Sequence, residues 1–201
     1  YYSRSNTGFK TLDTTPASVR NETEANTGFD KQEPMIKMFW EPKSDMYQKF
    51  EFKMGYTNLD ANETYTGVTT TDFLNHPNRR YAGTRFDEIE SSHFRTYLRH
   101  FAEIDKNTNL VTTAYGNTFS RNWQKLNKVG GNNISKAFFT NDLLILKGEA
   151  AGDLQVKNNA RTYYTWGVQS NLTHKMDVGE TKHELDIGVR LHYDQIRRLQ
   201  N

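Results

Sequence analysis

The sequence predicts an all-β protein built from about six or seven long antiparallel strands. Two observations lead to this prediction. Apolar and polar residues alternate with a period of two over long stretches, whereas stripes with helical spacing are scarce. Short and long connections alternate between these stretches. Aromatic residues reach 13%, with 11 Tyr and 12 Phe, which is unlike the composition of a disordered chain.

The first clear strands are predicted at 34–41 and 46–58, and a further strand fits within the first ten residues. In the second of them, Phe50, Phe52 and Met54 alternate with charged residues. Because every second side chain of a strand points to the same face of a sheet, this strand has one apolar face and one polar face.

Four later segments continue the pattern, at 92–105, 109–123, 161–176 and 181–195. In the last of them, one face without charge carries Leu185, Ile187, Val189, Leu191 and Tyr193. These segments are longer than an average soluble strand, which has about 5–6 residues. They are also longer than the about 9–11 tilted residues with which a strand crosses a bilayer.

The connections favour a membrane barrel. Tight connections at 42–45, 106–108 and 177–180 alternate with long polar segments at 11–33, 59–91 and 124–160. Outer-membrane barrels combine short periplasmic turns with long extracellular loops, and lipid requires their outer face to be apolar. The sequence therefore predicts an antiparallel transmembrane β-barrel segment. The alternative is a soluble all-β ligand-binding module.

The composition argues against several classes of protein. The chain has 26 Lys and Arg against 24 Asp and Glu, so it lacks the basic excess of nucleic-acid-binding proteins. Its longest aliphatic run, at 143–146, is far shorter than a helical membrane span and is interpreted as a short extra strand or a loop anchor. There is no cysteine for a disulfide or a thiolate metal site. Because the chain starts at Tyr1 without an apolar leader, we expect a processed form or part of a longer protein.

Two motifs in the middle of the chain resemble a known family. The first is ETYTGVT at 63–69, followed by DF at 72–73 and NHPNRRY at 75–81. The second combines TTAY at 112–115, Phe119, RNW at 121–123 and KL at 125–126. In this order they resemble stretches of the TonB-dependent outer-membrane receptors of the ferric citrate group. Val68, His76 and Gln124 are mild departures from that pattern.

The resemblance covers most of the chain, from about residue 30 to 126, and continues more weakly towards the C-terminus. It implies a barrel of about 22 strands that is filled by an N-terminal plug. It also implies uptake of a ferric chelate across the bacterial outer membrane, driven through contact of the plug with a TonB-type energising protein. Residues 1–201 would then be a partial barrel domain without its plug, in contact with outer-membrane lipid and lipopolysaccharide.

Ferric citrate complexes are anionic, and guanidinium groups bind carboxylates bidentately. The predicted substrate-binding residues are therefore Arg79, Arg80 and Arg85 on the long loop, and Arg121 and Lys125 at the outer end of a strand. Loop scaffolding, or binding of anionic lipopolysaccharide near the rim, is the alternative role for them.

No cofactor and no resident metal is expected, because the iron would arrive already chelated. The six histidines show no tight ligand spacing such as HExxH. No Ser or Thr lies in a recognisable nucleophile motif, so the chain is not expected to be an enzyme. An aromatic girdle at the membrane interfaces is predicted from Tyr47, Tyr56, Trp123, Tyr164, Trp166 and Tyr193.

Overall fold

One large antiparallel sheet dominates the computed structural model of the protein, which describes residues 3–6, 8, 10–13 and 27–200. Its strands are β1 (Ser3–Asn6), β2 (Thr11–Leu12), β3 (Phe29–Gln32), β4 (Met35–Trp40), β5 (Gln48–Ala61), β6 (Arg79–Arg80), β7 (Glu88–Asp105), β8 (Thr108–Val129), β9 (Asn132–Asn133), β10 (Leu154–Val178) and β11 (Thr181–Gln200). Strands β2 and β6 form a separate parallel pair, and the others belong to the antiparallel sheet.

The strand order in the sheet is β1-β3-β5-β7-β8-β10-β11. Strand β4 also pairs with β5, beside β3, and β9 pairs with β8. Over the described residues this order does not close on itself. The predicted all-β class, the antiparallel pairing and the six main strands are confirmed, and β1 lies where the further strand fits.

Several strands extend further into the long connections than the alternation predicts. Strand β7 begins at Glu88, β8 continues to Val129 and β10 begins at Leu154. These ends stay paired with their neighbours, with one register shift between Gln155 and Val156 of β10, although their faces carry polar residues. Backbone hydrogen bonds hold a strand whether or not its face is apolar, so the hydrophobic pattern marks only part of each strand.

The long connections also contain short helices, α1 (Thr70–Asn75), a 3-10 helix (Ala82–Thr84), α2 (Ile134–Ala137) and α3 (Asp142–Lys147). The aliphatic run 143–146 lies in α3, so its interpretation as an extra strand is wrong and that as a loop anchor is confirmed, because Leu146 is fully buried. Gly148 ends this helix with a left-handed backbone, φ 82°. Of the predicted polar segment 11–33, residues 14–26 lie outside the described residues.

The registers bring the alternating apolar positions of β5, β7, β10 and β11 to one face of the sheet, here called the apolar face, whereas Phe101, Val111 and Phe119 lie on the opposite face. One row of partners across it is Met38, Phe52, Leu98, Ala114, Val168 and Leu191. The opposite, polar face carries the row Glu51, Arg99, Thr113, Gln169 and Arg190. Large side chains on the apolar face remain exposed, with Leu191 at 72% and Trp166 at 58%.

The connections divide the sheet into two different ends. At the turn end, residues 41–47, 106–107 and 179–180 join neighbouring strands. At the loop end lie the long connections 62–87 and 130–153. Among the helices of the described residues, none is long and apolar enough to span a membrane.

Candidate functional site

The two long connections at the loop end fold together into one unit, here called the cap (residues 62–87 and 130–153). Its core contains Tyr81, Ala137 and Leu146, packed with Leu126 and Val129 at the end of β8. Each of these side chains is at most 1% exposed. The cap is therefore folded by ordinary burial of apolar surface.

A glycine lets the two parts of the cap approach closely. A Cβ atom on Gly83, in the 3-10 helix, would lie 2.9 Å from the carbonyl oxygen of Leu146 in α3. That spacing is too short for any side chain, so only glycine fits where these two elements meet.

Asp72 in α1 is the electrostatic centre of the cap. Its carboxylate accepts hydrogen bonds from the Tyr81 hydroxyl at 2.5 Å and the Thr69 hydroxyl at 2.9 Å. It also forms ion pairs with Arg79 at 2.7 Å and with Lys147 of α3 at 2.9 Å. Burial alone would raise the pKa of Asp72, but the hydrogen bonds from Tyr81, Lys147 and Thr69 outweigh it and lower the pKa.

Arg79, a predicted substrate-binding residue, is surrounded by carboxylates. Its guanidinium lies 2.8 Å from Asp13, 2.7 Å from Asp72 and 3.4 Å from Glu149. It therefore joins the N-terminal segment, α1 and the residues after α3. These contacts favour the scaffolding alternative for Arg79.

Arg80 is 5% exposed and binds backbone within the cap. Its guanidinium donates to the carbonyl oxygens of Asn62 at 2.7 Å, Thr84 at 2.6 Å and Asp87 at 3.2 Å. Burial lowers the pKa of Arg80. A buried guanidinium that satisfies three carbonyl groups acts as a scaffold, because these acceptors would otherwise lie unpaired in the interior.

The three other predicted residues have more open surroundings. Arg85 lies over the Phe86 ring, with 4.4 Å from its Cζ to the ring centroid. The Lys125 ammonium lies 4.4 Å from the ring centroid of Tyr65 and 4.7 Å from that of Trp123. Arg121, Trp123 and Lys125 lie on the polar face, so Trp123 lies on the opposite side of the sheet from the predicted girdle residues Tyr56, Tyr164, Trp166 and Tyr193.

The pairing reveals two cationic residues that the sequence analysis missed. On β10, Arg161 lies directly opposite Arg121, and Lys157 lies directly opposite Lys125. Strand pairs this far apart in sequence are visible only once the register is known. The loop end of the polar face is therefore more basic than the net charge of the chain indicates.

Next to the cap, a cavity of about 690 Å³ opens on the polar face. Its floor includes Phe29, Leu59 and Ala61 from β3 and β5, and its roof includes Val68 and Phe73 from the cap. The volume lies within the usual range of small-molecule sites. Its lining is mixed, since cationic side chains also border it, including Lys31 and Arg79.

One group of carboxylates is close enough to share a cation. Oxygens of Asp60, Glu88 and Glu90, near the loop ends of β5 and β7, lie within 4.8 Å of one another. Histidines of the described residues join no comparable group. Exposed carboxylates often lie this close without a metal, so the group alone does not identify a metal site.

Comparisons with known proteins leave the family open: no family model, no curated protein and no solved structure matches the chain.

Proposed function

We propose that this chain is a segment of an outer-membrane β-barrel receptor that takes up an anionic ferric chelate, citrate or a similar siderophore. The observation that carries the proposal is a largely apolar band, without Asp, Glu, Lys or Arg, on one face of a sheet of very long strands. In a soluble protein a band of this size would be buried under a second layer. Over the described residues, no second layer covers it.

The height of the band fits a bilayer. On β11 it runs from Leu185 to Tyr193, and on β10 from Leu172 to Tyr164, which matches the about 9–11 tilted residues of a barrel strand in lipid. Strands β8 and β10 have 22 and 25 residues, so more than half of each would stand outside the hydrocarbon.

The apolar face changes character sharply towards the loop end. Its last apolar row contains three aromatic residues, Tyr56, Phe94 and Tyr164, and one row closer to the turns Trp166 stacks on Tyr193 at 5.6 Å. The next two rows include Asn58, Ser92, Ser120, Thr162 and Arg197, and then Asp60, Glu90, Asn122, Ala160 and Leu199. An aromatic row followed by mostly polar rows is the arrangement expected where a barrel leaves the membrane.

The polar face provides the surface that a lumen requires. The Tyr97 hydroxyl donates to Glu51 at 2.6 Å, and Lys37 pairs with the same carboxylate at 3.0 Å. Near the other edge, the Tyr115 hydroxyl accepts a hydrogen bond from Arg190 at 2.9 Å. Such networks keep polar side chains satisfied on the inner wall of a barrel.

The two motifs of the family resemblance contact each other, which supports reading them together. The first motif builds the cap, and the second is β8, whose Leu126 belongs to the core of the cap. The Tyr65 hydroxyl donates to the carbonyl oxygen of Leu126 at 2.7 Å. In the proposed receptor the cap would stand on the extracellular side, above the entrance of the lumen.

The test uses the complete protein that carries this segment, expressed with its own leader and fractionated. We expect it in the outer membrane, soluble only in detergent, and binding ferric citrate in a calorimetric titration. Ferric ion held by an uncharged chelator is the matched ligand control. A protein that is monodisperse without detergent would overturn the proposal and support the soluble ligand-binding module.

A further inference from the structure

The loop-end halves of β8 and β10 carry a concentration of positive charge and no carboxylate of their own, and Asp87 of the cap lies near Lys125. Strand β8 has no Asp or Glu, and the single acidic residue of β10 is Asp177, beside the turn. Across the pairing of β8 with β10, Arg121 lies opposite Arg161 and Lys125 lies opposite Lys157.

Like charges directly opposite each other destabilise a strand pair. Opposed side chains have Cβ atoms only about 4.5–5.5 Å apart, so the two guanidinium groups can reach the same ligand. Neither Arg121 nor Arg161 has a carboxylate within salt-bridge distance among the described residues. Their contacts are neutral: Arg161 donates to Asn159 at 3.2 Å and to the Tyr163 hydroxyl at 3.4 Å, and Arg121 interacts with the same hydroxyl.

Two further features of the polar face fit an anion at this place. Lys125 and Lys157 lie four residues further along their strands, about 14 Å at the rise of an extended chain, and add attraction from the loop side. Between the two pairs, the buried indole Nε1 of Trp123 has no hydrogen-bond acceptor among the described residues. A buried donor without an acceptor is uncommon and calls for a partner.

We infer that Arg121 and Arg161 form one anion-binding site across β8 and β10, and that its ligand carries at least two carboxylate or phosphate groups. Two guanidinium forks bind two such groups bidentately, whereas a single carboxylate would leave one fork without a partner. The anion neutralises the charge pair and thereby joins the two strands. The site depends only on the register of β8 and β10, and only its use for a ferric chelate rests on the proposed function.

The experiment measures binding of citrate, which has three carboxylates, to the complete protein in detergent. The variants are Arg121→Gln and Arg161→Gln, and Lys175→Gln, on the polar face near the turn end, is the control. We expect citrate to raise the melting temperature of the wild type above that in sodium chloride of equal ionic strength, and acetate to have no such effect. Each arginine variant should weaken citrate binding by about tenfold or more, as loss of a charge-assisted contact predicts.

A second readout separates a binding pair from a structural pair. Without citrate, the Arg161→Gln protein should be at least as stable as the wild type, because the like-charge contact is gone. Citrate affinities equal to that of the wild type in both variants would overturn the site, as would no citrate effect on the wild type. Citrate binding that depends on the pair, without binding of ferric citrate, would instead leave the site in place and overturn the transport proposal.

Discussion

Hydrophobic side chains are buried in the cap but exposed on the apolar face of the sheet. In the cap, Tyr81 and Leu146 are at most 1% exposed and enclose a small core beside buried ion pairs. On the sheet, Val189 is 64% and Leu191 is 72% exposed, although both lie in long regular strands. The difference is one of surroundings, since backbone groups are paired in both regions, by short helices and side chains in the cap and by neighbouring strands in the sheet.

This contrast divides the described residues into a part whose apolar side chains are buried and a part whose apolar side chains stay exposed. Burial from water stabilises the cap through the hydrophobic effect. The apolar face gains nothing from water, and in the proposed receptor lipid would cover it. Substitutions in the cap and substitutions on the apolar face should therefore destabilise the protein under different conditions. The following variants test this difference.

The largest effect is expected from Asp72→Asn in the cap. The amide would leave Arg79 and Lys147 without their shared charge, and breaking a buried ion pair destabilises by about 3–5 kcal/mol. Hydrogen exchange should show faster opening of residues 69–84, while the amides of the central strands remain protected. Thr70→Ala, on the exposed side of the same helix, is the control. Equal protection of the cap in Asp72→Asn and wild type would contradict this account of its stability.

The next effect concerns the centre of the apolar band. Sequence analysis places Ile187 on this face, and the register puts Val189 in the middle of the apolar run of β11. Val189→Arg should destabilise the refolded complete protein by about 2–4 kcal/mol in lipid vesicles, as for a cation near the bilayer midplane. Thr165→Arg, on the polar face opposite Asp194, should cost much less. If the two variants refold equally well, the assignment of the faces is wrong.

Acid should loosen the cap before the sheet. Because the folded pKa of Asp72 lies below its ordinary value of 3.8, its stabilising contribution is present above that value and is lost as the pH falls below it. Burial raises the pKa of Asp87, which therefore contributes with the opposite sign. Comparing wild type with Asp72→Asn from pH 6 down to about pH 2 isolates Asp72. The difference in cap protection should shrink with falling pH, and a constant difference would exclude this cause.

The smallest effect is expected at the turn end. Gly179 has a φ of 63°, and a Cβ there would meet no atom within 4 Å, so only backbone strain opposes a substitution. Gly179→Ala should destabilise the β10–β11 hairpin by about 1–2 kcal/mol, the strain of a left-handed residue. Gly179→Asn should be milder, because asparagine tolerates this conformation. Thermal unfolding of both variants measures the difference, and indistinguishable melting temperatures would show that the turn adjusts freely.

The alternation of apolar and polar residues predicts the sheet well where one face is apolar. Around Phe52, Leu98 and Val168 the period of two is clear, and the register confirms that these residues share a face. It fails at the strand ends, where rows such as Asn58 and Ser92 lack contrast between the faces. It also fails in α3, because four aliphatic residues in a row fit a short strand as well as a helix.

The site was only partly predictable because its residues meet across strands. Arg121 and Lys125 stand out in one motif, but Arg161 and Lys157 follow more than thirty residues later, without a motif of their own. Arg79 and Arg80 looked similar in sequence, yet one lies among carboxylates and the other under carbonyl groups. Such differences depend on side-chain packing in three dimensions, which residue types alone do not contain.

The unequal connections at the two ends also set an order of assembly. Hairpins β7–β8 and β10–β11 close around the two-residue turns 106–107 and 179–180, whereas β8 meets β10 only after 130–153 has been looped out. A connection roughly ten times longer carries about 2 kcal/mol more closure entropy. We therefore expect the two hairpins to form first, starting from their turns. The hairpins would then pair with each other as the cap folds around Leu126 and Leu146.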